Sequence, residues 1–325
     1  MKTPRENVLE LINWGKPDYI PMNLECFAVV GVLSGHLAEA PIEDGKDAFG
    51  VQWHVNAAGA IPDNSSFMLD DITRWREVIH IPDPQEFAAQ AYAGAAIELA
   101  EVDRSQKLVQ LFNDTGLFER LVSFMGMENA MIALLEEPEA CKDFFDAMAD
   151  YRVKCLEINM DAYKPDIVTY FDDVATARGL FMSPDTWREL IKPAHAKIVK
   201  AVTDRGVIFQ QHVCGLAVDL IDDYIEMGAT MWHTCQIMND IPALQEKYRG
   251  RMIIEGGWDS SGLPGMISAT EDDIRAEVRR NIEEYGRNGG FILCPVMMNE
   301  RGQANVVGDD RLDALMDEYY KYCAL

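Results

Sequence analysis

The chain has 325 residues, 48% of them hydrophobic and 26% charged, an ordinary globular composition with enough apolar material for a sizeable core. Its 29 basic against 54 acidic side chains give a formal charge of −25, which argues against holding a nucleic-acid backbone or an anionic lipid surface, since both want clustered Lys and Arg. No apolar run is long enough to span a bilayer, and Met1-Lys2-Thr3-Pro4-Arg5-Glu6 opens a short amphipathic stretch rather than a signal peptide. The expectation is a cytoplasmic protein with neither nucleic acid nor membrane as a partner.

In chain order, the β-rich segments are Tyr19–Glu25, Leu108–Asn113, Ile167–Asp172, Val207–His212, Thr230–Cys235, Met252–Gly256 and Phe291–Pro295. Helical stretches separate them, and strand-helix alternation predicts a parallel α/β sheet. The length suits one (β/α)8 TIM barrel. Residues 27–105, approximately, are less regular, with Gly, Ala, Pro and Asn-rich stretches, and read as an insertion covering one barrel end; an eighth strand is not placed. No repeat, low-complexity tract or Gly/Ser linker divides the chain, so residues 1–325 are expected to form a single domain. Ser183-Pro184 predicts a helix N-cap followed by proline at the first helical position, and Thr270-Glu271-Asp272-Asp273 predicts a capping box. Gly289-Gly290 is expected to stop that second helix.

The seven cysteines, at 26, 141, 155, 214, 235, 294 and 323, are odd in number and scattered, without the rhythm of a disulfide scaffold. Most read as buried thiols. His212-Val213-Cys214-Gly215 and Phe291-Ile292-Leu293-Cys294-Pro295 are different, because each closes a predicted strand and supplies soft ligands. A His-x-Cys pair with its third ligand far along the chain does not resemble a zinc finger. Three protein ligands, His212, Cys214 and Cys294, leave a fourth position for water or substrate, the pattern of a catalytic zinc site. Cys235 is the spare fourth ligand. His233 shares its strand face by alternation but would sit deeper in the barrel.

The other strand ends converge on the same mouth, where barrel active sites are built. Asp172 and Asp173 are candidate catalytic groups for a substrate proton or a ligand; alternation lets only one of them face inward, and capping the next loop is the ordinary alternative. Asn113 with Asp114, Glu255, Trp258 and Asp259 are candidate substrate contacts. Gly256-Gly257 would permit close approach of backbone to ligand, or simply form a turn beneath a packed Trp258. His36, His54, His80 and His195 read as surface or core histidines.

Several stretches are similar to the uroporphyrinogen decarboxylase superfamily: Pro4-Arg5-Glu6 with Lys16-Pro17-Asp18-Tyr19-Ile20-Pro21, then Phe49-Gly50-Val51-Gln52-Trp53 and Leu69-Asp70-Asp71-Ile72-Thr73-Arg74-Trp75. The most specific runs from Phe171-Asp172-Asp173 through Gly179-Leu180-Phe181-Met182-Ser183-Pro184 to Ile191-Lys192-Pro193. Within that superfamily the chain resembles the zinc-dependent, corrinoid-linked methyltransferases, whose metal ligands match His212, Cys214 and Cys294. The decarboxylases carry an arginine-rich segment near the start, where this chain reads Pro21-Met22-Asn23-Leu24-Glu25-Cys26-Phe27, without arginine.

The resemblance implies a uroporphyrinogen decarboxylase-like barrel that moves a methyl group between a small-molecule donor or acceptor and the cobalt of a corrinoid (cobalamin). The corrinoid would be carried by a separate protein. It leaves two other readings, a porphyrinogen decarboxylase and a non-catalytic corrinoid- or pterin-binding module. Methoxylated aromatics, methylamines, methanol-derived methyl groups, thiols and tetrahydrofolate all remain open as substrates.

Overall fold

A computed structural model of the chain describes residues 2–56, 59–298 and 311–325. Helix α1 (Pro4–Ile12) begins with a capping box in which Thr3 and Glu6 satisfy each other's backbone N–H groups. Seven parallel strands follow: β1 (Phe27–Val30), β2 (Leu108–Asn113), β3 (Ile167–Phe171), β4 (Ile208–His212), β5 (Met231–Cys235), β6 (Ile253–Gly257) and β7 (Phe291–Cys294). They lie side by side in chain order, each bonded to the next. The sheet curls until its edges approach. Met22 forms an isolated parallel bridge to Leu293, whose N–H donates to the Pro21 carbonyl at 2.9 Å.

Six of the seven expected strands fall within a residue or two of their predicted bounds. The first does not. Asn23–Cys26 is one helical turn, and the paired strand is Phe27–Val30, inside the stretch read from sequence as insertion. Pro21 has no N–H to give to a ladder, so its segment contributes only the carbonyl and the single bridge. The β-branched Val29 and Val30 further on make the regular pairing with β2.

The rest of the insertion forms a small antiparallel sheet, Gly45–Lys46, Gln52–Asn56 and Gly59–Pro62, and helix α2 (Ala88–Glu98). Buried charge pins it to the barrel. Arg120, on helix α3 (Leu117–Met125), bonds Glu39 Oε2 at 2.7 Å and Asp47 Oδ2 at 2.6 Å. Arg152, on helix α4 (Pro138–Tyr163), reaches the same Glu39 oxygen at 2.7 Å. All four side chains are at most 3% exposed, and the Arg120 guanidinium lies 4.7 Å from the Phe49 ring centre. A groove of about 500 Å³ lies on this insertion, lined by Val32, Leu33, Ile42 and Ile97 among others, apart from the strand ends carrying His212 and Cys294.

Ser183 caps helix α5 (Pro184–Leu190) as expected, with proline at its first position; helix α6 (Lys192–Thr203) follows at once. Thr270 and Asp273 form the expected capping box on helix α7 (Glu271–Glu284). That helix stops earlier than Gly289-Gly290, because a 3₁₀ turn, Gly286–Asn288, intervenes. Helix α8 (Leu312–Tyr322) packs against α7. No described helix is long and apolar enough to cross a membrane.

Alternation along the strands sets up the barrel interior in layers. At the floor, Phe27, Leu108, Ile167, Met231, Ile253 and Ile292 cluster with Val8 and Leu11 of α1. Above it the layer is polar. Gln110 donates to Thr169 at 3.0 Å and to Gln210 at 2.7 Å, and Gln210 donates to Glu255 at 2.7 Å. Phe112, Phe171, His212 and His233 come next, towards the strand C-termini.

Candidate metal centre

His212 ends β4 and faces inward, stacked on Phe171, whose ring is 3.9 Å away and nearly parallel at 20°. Phe112 stands edge-on to Phe171 at 5.0 Å and lies 5.6 Å from the His233 ring. The two histidines meet across neighbouring strands, Nδ1 to Nδ1, at 2.7 Å. One ring therefore donates and the other accepts.

Each histidine turns its other nitrogen to a different group of donors. His212 Nε2 is 3.4 Å from Cys214 Sγ and 3.7 Å from Asp173 Oδ1. His233 Nε2 is 3.7 Å from Cys294 Sγ and 3.8 Å from Glu255 Oε1. Within each trio the ligand atoms lie within 4.8 Å of one another. The structure thus joins His212 and Cys214 as the sequence suggested, and sets Cys294 in the neighbouring trio with His233 and Glu255.

Local backbone explains the placement of Cys214. Its N–H donates to Asp173 Oδ1 at 2.7 Å, and the chain then turns at Gly215, φ +88°. A Cβ on Gly215 would lie 2.6 Å from the Thr176 carbonyl oxygen, so only glycine fits without a shift. The Gly215 N–H donates to Gln236 Oε1 at 2.7 Å and its carbonyl accepts from Asn239 at 2.9 Å. Cys294 receives the Asn23 amide at 3.1 Å.

The adjacent aspartates divide as alternation requires. Asp172 is buried and accepts the N–H groups of Phe118 and Glu119 at 3.0 and 3.3 Å, capping α3. Burial pushes its carboxyl up to about 7, opposed by those two N–H groups. Asp173 turns towards His212 and Cys214; burial raises it too, against the Cys214 N–H. Burial also raises Glu119 well above the usual range, with Asp173 and Asp172 adding to the effect.

Burial acts on every donor of the basin. It lowers His212 to about 3 and His233 well below the ordinary imidazole value, the latter with a contribution from His212. It raises the thiols of Cys214 and Cys294, with Asp173 and Glu255 respectively as the next causes. Glu255 is pushed up to about 7, opposed chiefly by the Gln210 amide. Two imidazoles, two thiols and two carboxyls converge here. Glu255 Oε1, wholly buried, makes no well-formed hydrogen bond. Nitrogen, sulfur and carboxylate donors of this kind fit a zinc ion, whose charge would offset the burial of their ionised forms.

The remaining candidates lie elsewhere. Asn113 alternates away from inward-facing Phe112 and is fully buried, with neither side-chain polar atom bonded. The Asp114 carboxyl is raised to about 6 by burial, opposed by Arg152. Trp258 is buried and its indole N–H points to the Pro264 carbonyl at 3.4 Å, while Asp259 accepts the Gly262 N–H at 2.8 Å; both brace their own loop. The close approach at Gly256 is to Cys235, whose carbonyl oxygen would be 2.2 Å from an added Cβ. Cys235 itself packs into the main hydrophobic cluster, because a register shift between Trp232 and Cys235 separates it from His233. His195 is buried between Tyr170 and Trp187. Asn23 and Gln210, which support the inner trio, gave no sequence signal beyond a polar residue near a strand.

No curated protein sequence matches the chain. Among solved structures, a methyltransferase from Methanosarcina mazei superposes with a TM-score of 0.70 at 13% identity, over 99% of each chain, so the two share a fold. The sequence profile of the family "Uroporphyrinogen decarboxylase (URO-D)" matches residues 46–296. With most of its length covered by that profile, the chain belongs to the uroporphyrinogen decarboxylase family.

Proposed function

We propose that the chain is a cytoplasmic, zinc-dependent methyltransferase that moves a methyl group between a small molecule and the cobalt of a corrinoid carried on a separate protein. The observation that carries this reading is the convergence of His212, Cys214, Cys294, Asp173, His233 and Glu255 towards the C-terminal ends of β3 to β7. The shared fold with a methyltransferase supports it. An acidic side chain, Asp173, stands among the donors, where a porphyrinogen substrate would need cations to hold its carboxylates. Arg152, nearby, is engaged by the carbonyls of Asp114 and Thr115 and by Glu39.

His212 and Cys214, with Cys294, would hold the zinc. Bound there, it would act as a Lewis acid, holding a thiol acceptor as thiolate or polarising the oxygen of a methyl ether. The chain's own groups do the rest. Phe171 fixes the plane of His212, Asp173 fixes the backbone of Cys214, and the half-buried Phe112 and Phe171 give the methyl group an apolar wall.

The test is zinc content followed by methyl transfer to reduced free cobalamin from a panel of methyl donors, including methoxylated aromatics and methylated amines. About one zinc per chain, lost in Cys294→Ser, with zinc-dependent formation of methylcobalamin that His212→Ala abolishes, is the expected result. Zinc-free wild type that turns over uroporphyrinogen would establish the decarboxylase instead.

A further inference from the structure

We propose that the basin offers two alternative seats for one metal ion: an outer seat at His212 and Cys214, and an inner seat at His233, Glu255 and Cys294. The outer seat rests on the zinc reading proposed above; the inner one is built from His233, Glu255 and Cys294. His233 Nε2, Cys294 Sγ and Glu255 Oε1 face one another within 4.8 Å, deep in the barrel. Glu255 is 0% exposed, and its Oε1, 3.8 Å from His233 Nε2, makes no well-formed hydrogen bond, although the Asn23 amide and the Cys294 thiol both bear on the carboxyl. Its other oxygen is fixed by Gln210 at 2.7 Å, so the free one stays aimed at the trio. A buried acceptor without a well-formed hydrogen bond is costly unless something occupies its lone pairs, and a cation does so directly.

The seats exclude each other through the hydrogen bond between the histidines. At 2.7 Å, one Nδ1 carries the hydrogen and the other accepts it. The neutral ring that donates at Nδ1 has its lone pair at Nε2 and can bind metal there. The ring that accepts at Nδ1 carries its hydrogen at Nε2, where it meets a thiol and a carboxylate instead of a metal. A metal on His212 Nε2 therefore sets His233 as the acceptor and closes the inner seat, and the reverse holds. Cys294 adds to the exclusion, since as the third ligand expected outside it is also a member of the inner trio. Filling either seat leaves the second carboxylate facing an imidazole N–H, at 3.7 Å for Asp173 and 3.8 Å for Glu255.

The experiment uses the full chain reconstituted with zinc alone, read by metal analysis, chelator competition and X-ray absorption at the zinc edge. Wild type should saturate at about one zinc per chain. Cys214→Ser should keep it, with a single sulfur ligand and added oxygen and nitrogen. Adding Glu255→Gln to Cys214→Ser should weaken zinc on the order of tenfold or more, whereas Glu255→Gln alone should change it far less. Two zinc ions in wild type would overturn the exclusion. Zinc-free Cys214→Ser with an unchanged circular dichroism spectrum would overturn the inner seat, as would a Cys214→Ser site insensitive to Glu255→Gln. Failure of methyl transfer by zinc-loaded protein would overturn the methyltransferase reading and leave these binding results standing.

Discussion

Asp173 accepts the backbone N–H of Cys214 at 2.7 Å, and through that one bond the loop after β3 sets the direction of the Cys214 thiol at the end of β4. Replacing Asp173 with alanine removes the acceptor without touching a thiol or an imidazole. Zinc affinity is expected to fall by about 10–100-fold, as for other groups that orient a ligand from behind it. Competition with a chromogenic chelator measures it; unchanged affinity would show that Gly215, Gln236 and Asn239 hold the turn unaided.

Gly215→Ala tests the same turn from its backbone. The residue sits at φ +88°, and the added methyl would meet the Thr176 carbonyl. A loss of about 1–3 kcal/mol in stability is expected, with weaker zinc binding because Cys214 is the neighbouring residue. Urea denaturation and the chelator assay report the two effects separately.

The Arg120 cluster should be a large single contribution to docking of the insertion. Arg120→Ala leaves Glu39 and Asp47 buried with less compensation, and loses the guanidinium contact with Phe49. Breaking a buried pair from one side costs about 3–5 kcal/mol. The expected sign is a lower urea midpoint, and a triple replacement that also removes the Glu39 and Asp47 charges should recover part of it.

Stability of the metal-free protein should depend on pH through Asp172. Its carboxyl rises from the ordinary 3.8 to about 7 on folding, so between those values the folded chain holds a proton that the unfolded chain has released. Unfolding stability then falls as pH rises across that window, by on the order of a few kcal/mol in total. Asp172→Asn keeps an oxygen to cap α3 and cannot ionise. Its denaturation midpoint should fall less steeply between pH 5 and 8 than that of wild type, and parallel profiles would rule the assignment out.

The strands from β2 to β7 were legible because each is a short run that opens on apolar residues and is bounded by polar or glycine-rich turns. The first was not, since its pairing depends on how Pro21 and Met22 meet β7 from the far end of the chain. His212 and Cys214 were legible as a pair because they sit two residues apart at one strand end. The company kept by Cys294 was not: the position of His233 relative to Cys235 depends on a register shift, which alternation alone does not predict. The ion cluster of Arg120, Arg152, Glu39 and Asp47 joins loops and helices far apart in sequence, so charge patterning gave no sign of it.

Val8 and Leu11 of the first helix stop the lower end of the barrel among the lowest ring of strand side chains. A vessel stoppered at its base is filled and emptied through its neck. If the proposed corrinoid protein docks over that opening, the small molecule must reach His212 before it settles, and the product must wait for it to lift away. On that proposal, kinetics with two reactants should be ordered, with the smaller one first on.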